Sequence, residues 1–262
     1  MKIFDAHCHI YPAKIAQKAA TATAVFYDNL GDTLDGTVQS LFAHGGEITQ
    51  FLVQSVATTP AQVHSINEFI AAEVAQFPER LFGFGALHPE SEQLEQDVAH
   101  LRELGLHGVK LHPDIQRFRL DDPKCFALCE QCEGVLPLLL HTGDSRYSFS
   151  NPEQLIPLLE RFPKLTVIGA HFGGWSIWQE AAKRLAGRYE NFYVDCSSSL
   201  FALKPAEARE LIAAYGSDRV LFGTDFPMWE PAAELERFRA LELDEKTAAD
   251  ILYNNAARLF GL

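Results

Sequence analysis

The chain has 262 residues, of which 47% are hydrophobic, and it carries a formal net charge of −13. The hydrophobic share is enough for one large core, and about 250 residues is a common length for a single α/β barrel. The acidic balance disfavours generic binding to nucleic acid or to an anionic membrane, because like charges repel. No run of residues is long and apolar enough to predict a membrane span.

The amino terminus and the cysteines indicate a cytoplasmic protein. Residues 1–10 lack the long apolar stretch of a signal peptide. The five Cys are an odd number in a chain of this length, which does not predict a disulfide framework. Cys125, Cys129 and Cys132 have a spacing that iron–sulfur enzymes also use, but the same spacing puts them on one face of a helix predicted over residues 123–133. We therefore expect them to pack in the core.

Eight short apolar segments recur along the chain, each followed by a turn and a helix-like segment. They are rich in Val, Ile, Leu and Phe, as strands buried on both faces are. The predicted strands cover residues 3–10, 48–55, 81–87, 108–112, 136–142, 166–171, 191–196 and 220–225. Eight β–α alternations predict an α/β fold, a closed (β/α)8 or TIM barrel that spans residues 1–262 as one domain. A doubly wound open sheet is the alternative, but it usually has a Gly-rich turn where this chain has His-Cys-His.

The segments between the strands have helical spacing. Leu94, Val98 and Leu101 predict a helix over residues 91–104, with Ser91 as its cap. Further helices are predicted from Asn151 onward, over 205–215 and, packed against the barrel, over 243–260. The long connection at residues 11–47 is predicted to hold helices at 14–27 and within 31–46. We expect it to form a partial lid or a surface for a homodimer.

Ionisable side chains end most of the predicted strands. The first predicted strand ends with His7 and His9, and the fourth ends with Lys110 and His112. The fifth ends with His141, the sixth with His171 and the eighth with Asp225. The carboxyl ends of the strands form the active face of a barrel enzyme, so these groups are expected to meet there.

The His7-x-His9 spacing has a physical reason. Side chains alternate faces along a strand, so residues two apart point the same way and both imidazoles can reach one ion. Imidazole nitrogen and carboxylate oxygen together suit a borderline cation such as Zn²⁺. His7, His9, His141 and Asp225 are therefore predicted to surround a divalent metal at the barrel axis.

The motifs at these strand ends resemble the amidohydrolase superfamily, and most closely its amidohydrolase-related (family 2) branch. The resemblance rests on Asp5-Ala6-His7-Cys8-His9, Val109-Lys110-Leu111-His112-Pro113, His141-Thr142-Gly143, His171-Phe172-Gly173-Gly174, Gly223-Thr224-Asp225-Phe226-Pro227 and the ending Asn254-Asn255-Ala256-Ala257-Arg258-Leu259-Phe260. It covers nearly the whole chain and implies a metal-dependent barrel enzyme.

The resemblance also implies residue roles. His7, His9 and His141 would ligate the metal, and Asp225 would ligate it and take a proton from water. His171 would ligate a second metal or hydrogen-bond the attacking hydroxide. Lys110 matches the context of a carboxylated lysine that bridges two metals in dinuclear relatives, but an ordinary lysine paired with a carboxylate is the alternative. One metal is favoured, and two stay open.

These roles predict a hydrolase that activates water to cleave an amide, ester or lactone bond of a small molecule. His112, Arg146 and Trp175 follow catalytic strands and are candidates for substrate binding, with Arg146 able to hold a carboxylate through its two-pronged guanidinium.

Three other functions compete with hydrolysis. Non-oxidative decarboxylation of a small aromatic acid is the first, and the compact chain argues against it because such relatives are usually longer. A barrel-type DNase is the second, but its usual mid-chain Gly-Glu motif is replaced here by Gly108-Val109-Lys110. A non-catalytic metal-binding protein is the third, and it would need neither Asp225 as a proton acceptor nor His171.

Overall fold

The structure, a computed structural model, describes residues 2–28 and 33–262. Within these ranges the strand segments are β1 (Phe4–His9), β2 (Gln50–Gln54), β3 (Leu81–Gly83), β4 (Gly85–Ala86), β5 (Val109–Leu111), β6 (Leu138–Leu140), β7 (Val167–Gly169), β8 (Phe192–Asp195) and β9 (Val220–Leu221). They pair in parallel in the orders β1-β2-β3 and β4-β5-β6-β7-β8-β9.

Helices alternate with these strands. They are α1 (Ala16–Phe26), α2 (Val38–His44), α3 (Val63–Gln76), α4 (Leu94–Glu103), α5 (Pro113–Gln116), α6 (Pro123–Cys132), α7 (Pro152–Arg161), α8 (Trp178–Leu185), α9 (Pro205–Tyr215), α10 (Pro231–Arg239), α11 (Glu245–Ala249) and α12 (Asn255–Phe260). Short 3₁₀ turns lie at Pro60–Gln62 and Ser217–Arg219, and a π-helical stretch, Asp250–Asn254, joins α11 to α12.

The third predicted strand is split into β3 and β4 at Phe84. The backbone stays connected to both neighbours there, since Phe84 N donates to Val53 O at 3.0 Å and Gly85 N donates to Gly108 O at 2.8 Å. A Cβ at Gly85 would lie 2.4 Å from Cδ1 of Leu101, so the glycine lets α4 approach the strand closely. The interruption is local, and the two sheets continue one another.

Hydrogen bonds also join the first strand, β1, to the segment after the last strand, β9. His9 N donates to Phe226 O at 2.6 Å, and Asp225 N donates to His7 O at 2.8 Å. Asp5 adds a side-chain link between the same segments, because Oδ2 accepts from the hydroxyl of Thr224 at 2.6 Å. The strands therefore close on themselves, and the predicted (β/α)8 barrel is confirmed.

Apolar side chains fill the barrel interior below its carboxyl end. The cluster consists of Phe4, Ala6, Leu52, Phe84, Leu139, Ile168, Ala170, Leu221 and Ala256. Phe260 of α12 lies against it, with ring centroids 5.8 Å from Phe4 and 5.6 Å from Phe84. The carboxyl-terminal helix thus covers the amino end of the barrel, at the end opposite the ionisable strand-end groups.

The helices follow the sequence prediction with local shifts. Helix α9 has the predicted bounds, whereas α4 begins at Leu94 rather than Ser91 because the Ser91 hydroxyl donates to Asp97. Cys125, Cys129 and Cys132 are buried on α6, as expected for core packing. None of the helices in the described ranges combines the length and the apolar composition that crossing a bilayer would need.

The connection predicted as a lid lies over the carboxyl end of the barrel. It holds α1 and α2, and its predicted helix over residues 31–46 corresponds to α2, with residues 31 and 32 outside the described part. Tyr11 N donates to Gly36 O at 2.9 Å, and Leu34 N donates to Pro227 O at 2.8 Å. These bonds tie the connection to the loop after β9, beside Asp225.

Candidate active site

The two histidines of β1 point to the same side. The register of β1 against β2 shifts between Asp5 and Cys8, and such irregularities re-aim side chains near active sites. The Nε2 atoms of His7 and His9 lie 3.2 Å apart. The spacing that predicted a shared ion therefore brings both rings to one point.

Side chains from three other strand ends lie at the same point. Asp225 Oδ1 is 3.3 Å from Nε2 of His7 and 3.5 Å from Nε2 of His9. His171 Nε2 is 3.1 Å from His141 Nδ1, and the rings of His7 and His171 stack with centroids 5.3 Å apart. The structure thus brings together five of the seven strand-end residues at one point, namely His7, His9, His141, His171 and Asp225.

Two of these residues have backbone angles that L-amino acids rarely adopt. The φ angle is 58° at His171 and 62° at Asp225, in the left-handed region. Such conformations cost about 1–3 kcal/mol each and persist where the surrounding structure imposes them, often at functional sites. The turns after β7 and β9 therefore direct the side chains of His171 and Asp225 back over the barrel axis.

The imidazole nitrogens that face away from this point have their own partners. His7 Nδ1 lies 2.9 Å from Asp195 Oδ2, and His171 Nδ1 donates to the carbonyl of Ser197 at 2.9 Å. His141 Nε2 lies 3.4 Å from Asp114 Oδ2. Metal-ligating histidines usually have such a second partner, which fixes the ring and its tautomer. Sequence reasoning missed Asp195 and Asp114, although Asp195 ends a strand as the other site residues do.

The donor set fits a divalent cation. Burial lowers the pKa of His7, His9 and His141 well below the ordinary value, so these rings are neutral and carry lone pairs. His7 gives its Nδ1 hydrogen to Asp195, so its Nε2 lone pair faces another acceptor, Asp225 Oδ1. Two acceptors at this distance need a positive charge between or beside them. His7, His9 and Asp225 are also close enough together to ligate one ion.

Lys110 supplies a positive charge beside these acceptors. Its Nζ lies 3.1 Å from Nε2 of His7, and its side chain is buried. Burial lowers the pKa of the Lys110 ammonium to about 8, while Asp225 and Asp195 oppose that shift. A lysine in this state could carry a proton or, as the sequence resemblance implied, take up CO₂ as a carbamate.

A hydrogen-bonded chain holds Asp225. The indole Nε1 of Trp229 donates to Ser198 Oγ at 2.8 Å, and Ser198 Oγ donates to Asp225 Oδ2 at 2.5 Å. An indole N–H can only donate, so the direction of both bonds is fixed. Burial raises the pKa of the Asp225 carboxyl to about 7, against the lowering effects of Ser198 and Lys110. The carboxyl group of Asp225 is therefore held in one orientation by Ser198 and Trp229.

Tyr27, at the end of α1, was not predicted as a site residue. Its hydroxyl lies 2.7 Å from His112 Nε2, and Ile115 N donates to His112 Nδ1. Burial keeps the pKa of His112 well below its ordinary value, so the ring is neutral and its one hydrogen is on Nε2. That hydrogen goes to the Tyr27 oxygen. The phenol hydrogen of Tyr27 remains for a group in the cavity, since His141 is no closer than 3.4 Å.

These residues line one cavity of about 490 Å³, within the range of small-molecule sites. His7, His9, Lys110, His112, His141, His171 and Asp225 form its deep end. Arg146 and Trp175, predicted to bind substrate, are not among the lining residues of the described part. The guanidinium of Arg146 instead contacts Asp144 Oδ2 at 2.9 Å and the carbonyl of Phe26 at 2.8 Å. These contacts hold the Arg146 guanidinium beside the carboxyl end of α1, over the rings of Phe26 and Tyr27.

Comparison with known proteins adds a family and a set of relatives. A family model described as "Amidohydrolase" matches residues 4–262. The chain is 25% identical over 245 residues to a 2-amino-3-carboxymuconate-6-semialdehyde decarboxylase of Dictyostelium discoideum, which covers 75% of this chain and 66% of that protein. It is 26% identical over 290 residues to a gamma-resorcylate decarboxylase of a Rhizobium species, with 88% of each covered.

Solved structures support the fold. An uncharacterized TIM-barrel protein from Bordetella bronchiseptica has a TM-score of 0.81 at 24% identity, covering 100% of this chain and 99% of that one. A dihydroxybenzoic acid decarboxylase from Polaromonas sp. JS666, with bound manganese and the inhibitor 2-nitroresorcinol, has a TM-score of 0.70 at 19% identity, covering 100% and 97%.

Proposed function

This chain belongs to the amidohydrolase family, and we propose that it is a divalent-metal-dependent enzyme that removes CO₂ from a small carboxylic acid without oxidation. One observation carries the proposal. A buried carboxyl group, Asp225, faces neutral imidazoles and the Lys110 ammonium at the deep end of a cavity of about 490 Å³. Curated relatives that carry a decarboxylase name add independent support.

The hydrolase predicted from the sequence is corrected by these relatives. They are named decarboxylases of gamma-resorcylate and of 2-amino-3-carboxymuconate-6-semialdehyde, rather than hydrolases. The length of the chain was a poor reason to discount decarboxylation, since the match covers 88% of the gamma-resorcylate enzyme. The physical cause of the error is that both reactions use the same imidazoles and carboxylate, so strand-end residues do not separate them.

The metal would be held by His7, His9, His141 and Asp225, with His171 beside them. Such a cation would draw electron density from the oxygens of a bound acid and fix their position. A relative's structure contains manganese, so Mn²⁺ is as good a candidate as the Zn²⁺ predicted from the ligand types. We propose a single ion, because His7, His9 and Asp225 converge on one point and Lys110 already supplies charge beside them.

The chain's own groups would bind the substrate as follows. The Lys110 ammonium attracts a carboxylate into the deep end, where little water competes. The phenol of Tyr27, with its oxygen engaged by His112, donates its hydrogen to a hydroxyl or carboxylate oxygen of the substrate. These two contacts hold the carbon that bears the carboxylate near Asp225.

Asp225 would then supply the proton that replaces CO₂. Asp225 would relay a proton from solvent to the carbon that bears the carboxylate, forming a C–H bond. The C–C bond breaks next, its electron pair returns to the ring or alkene, and CO₂ leaves. The relayed proton comes from solvent, so one carboxylate and one proton give one neutral product and CO₂, and no oxidant is needed.

A panel assay tests this function. The protein is loaded with Mn²⁺ or Zn²⁺, metal content is measured, and CO₂ release is followed with 2,6-dihydroxybenzoate, other hydroxybenzoates and 4-alkyl-2,6-dihydroxybenzoates. We expect release with at least one acid, and an Asp225→Asn variant that is folded but at least about 100-fold slower. Asp218→Asn, an exposed carboxylate at the other end of the barrel, is the matched control. Release of an alcohol or amine from esters or amides, without CO₂ from any acid, would overturn the proposal.

A further inference from the structure

Helix α1 turns one apolar face toward the cavity. Ile15, Ala19, Ala22 and Phe26 line the cavity, and their spacing of four, three and four residues puts them on one side of a helix. A different side of α1, formed by Ala16, Ala20 and Ala24, is buried against the protein. The small side chains of Ala19 and Ala22 leave room between the two larger ones.

Helix α3 supplies another wall of the cavity. Ile66 and Phe69 line the same cavity and are one turn apart on α3. Ile66 and Phe69 lie in the first two turns of α3, whereas the later residues Ile70 and Val74 pack against Gly83 of β3. Ile15 is 47% exposed. Apolar surface of this kind favours contact with a ligand, because each Å² removed from water contributes about 25 cal/mol.

The number of cationic side chains in the cavity limits how many carboxylates a ligand can carry. Among the lining residues that the structure describes, Lys110 is the one Lys or Arg side chain. The guanidinium of Arg146 does not line the cavity and is already paired with the carboxylate of Asp144 and the carbonyl of Phe26. The sequence of residues 29–32, Asn-Leu-Gly-Asp, adds no Lys or Arg. The polar side chains that line this part of the cavity, Thr23, Gln62 and Ser65, are uncharged. A second carboxylate on the ligand would therefore lie between mainly apolar walls with no cation to pair with it, which is costly.

We propose that the substrate is a monocarboxylic acid with an extended apolar substituent, and that this substituent lies between α1 and α3. The inference rests on the proposed function for its carboxylate end, where Lys110 and the metal-binding groups lie. The apolar end depends only on the two helix faces. The substrate is therefore distinguished from a dicarboxylic acid and from a small unsubstituted ring acid.

Binding of 4-alkylbenzoates tests the apolar end without using turnover. These acids lack the ring hydroxyl that makes a ring carbon easy to protonate, so they bind without reacting. Their dissociation constants are measured by calorimetry on the Mn²⁺-loaded protein for methyl, propyl and pentyl chains. We expect two- to four-fold tighter binding for each added methylene, the upper value being about 0.8 kcal/mol per buried CH₂. Benzene-1,4-dicarboxylate should bind at least about tenfold more weakly than 4-propylbenzoate.

A variant locates the subsite. Ala22→Phe places a ring between the walls and should remove the dependence of binding on chain length. Thr21→Phe puts the same ring on the exposed side of α1 and should keep that dependence. Equal binding of all chain lengths by the unmodified protein, or equal binding of the dicarboxylate, would overturn the inference even if Ala22→Phe does not fold. Tighter binding of longer chains without CO₂ release from any hydroxybenzoate would refute the proposed reaction and leave the subsite standing.

Discussion

Replacing Asp195 by Asn should weaken divalent-metal binding about 10- to 100-fold while the barrel stays folded. Asp195 does not belong to the predicted ligand set, and its carboxylate acts through His7. One oxygen, Oδ1, accepts from His171 N at 3.1 Å, from Ser197 N at 3.0 Å and from the Ser197 hydroxyl. The other, Oδ2, lies 2.9 Å from His7 Nδ1.

An amide cannot satisfy both sides of this arrangement. In Asp195→Asn, the amide oxygen would stay at the position of Oδ1, where the three donors of His171 and Ser197 point. The amide NH₂ would then face Nδ1 of His7. His7 would then have to accept at Nδ1 and carry its hydrogen on Nε2, which removes the lone pair that a metal needs. The expected loss in affinity corresponds to about 1.4–2.7 kcal/mol.

Competition with a fluorescent chelator measures this affinity directly, and circular dichroism checks the fold. Glu234→Gln is the matched control, because it also changes a buried carboxyl to an amide but its carboxyl contacts Arg237 rather than an imidazole. Metal binding by Asp195→Asn that equals that of the unmodified protein would show that the His7 tautomer does not depend on Asp195.

Two further predictions concern Glu234 and Tyr27. Burial raises the pKa of Glu234 to about 7 from an ordinary 4.5, so its ionisation opposes folding: the stability it contributes is present below pH 4.5 and is lost as pH rises through 7. Glu234→Gln should therefore raise the free energy of unfolding by up to about 3 kcal/mol at pH 8 and change it little at pH 5. Urea denaturation at the two pH values measures this difference. An equal gain in the free energy of unfolding at both pH values would contradict the argument. Tyr27→Phe removes one hydrogen bond to the substrate and should lower kcat/KM for CO₂ release about 2- to 10-fold with metal content unchanged; unchanged kcat/KM would remove Tyr27 from substrate binding.

The barrel and its strand-end groups could be predicted because both follow from short-range rules. Buried parallel strands are continuous apolar segments, and a polar residue at the end of each one must face the same opening. The split of the third strand at Phe84 could not be predicted in this way, since it depends on how closely α4 packs on Gly85. That contact joins two separate segments of the chain, and the residue spacing within each segment does not predict how closely the two pack.

The residues that support the site were harder to find. Asp195 had the same signal as the others, a carboxylate at a strand end, and could have been included. Tyr27 and the chain from Trp229 through Ser198 depend on where loops and α1 fold back over the barrel. Arg146 follows β6 in sequence, yet its guanidinium pairs with Asp144 two residues earlier and does not line the cavity. Position along the chain locates a loop but does not fix the direction of its side chains.

The deep end of the cavity and its α1 wall are formed by different parts of the chain. This division has an evolutionary consequence. The groups at the deep end come from strand termini that the whole barrel holds in place, whereas α1 belongs to a single surface connection. Substitutions, insertions or exchange of that connection can alter which ligands the cavity accepts while the strand-end groups are preserved. We expect homologues with different substrates to diverge most between β1 and β2, and a grafted connection to transfer chain-length preference from one homologue to another.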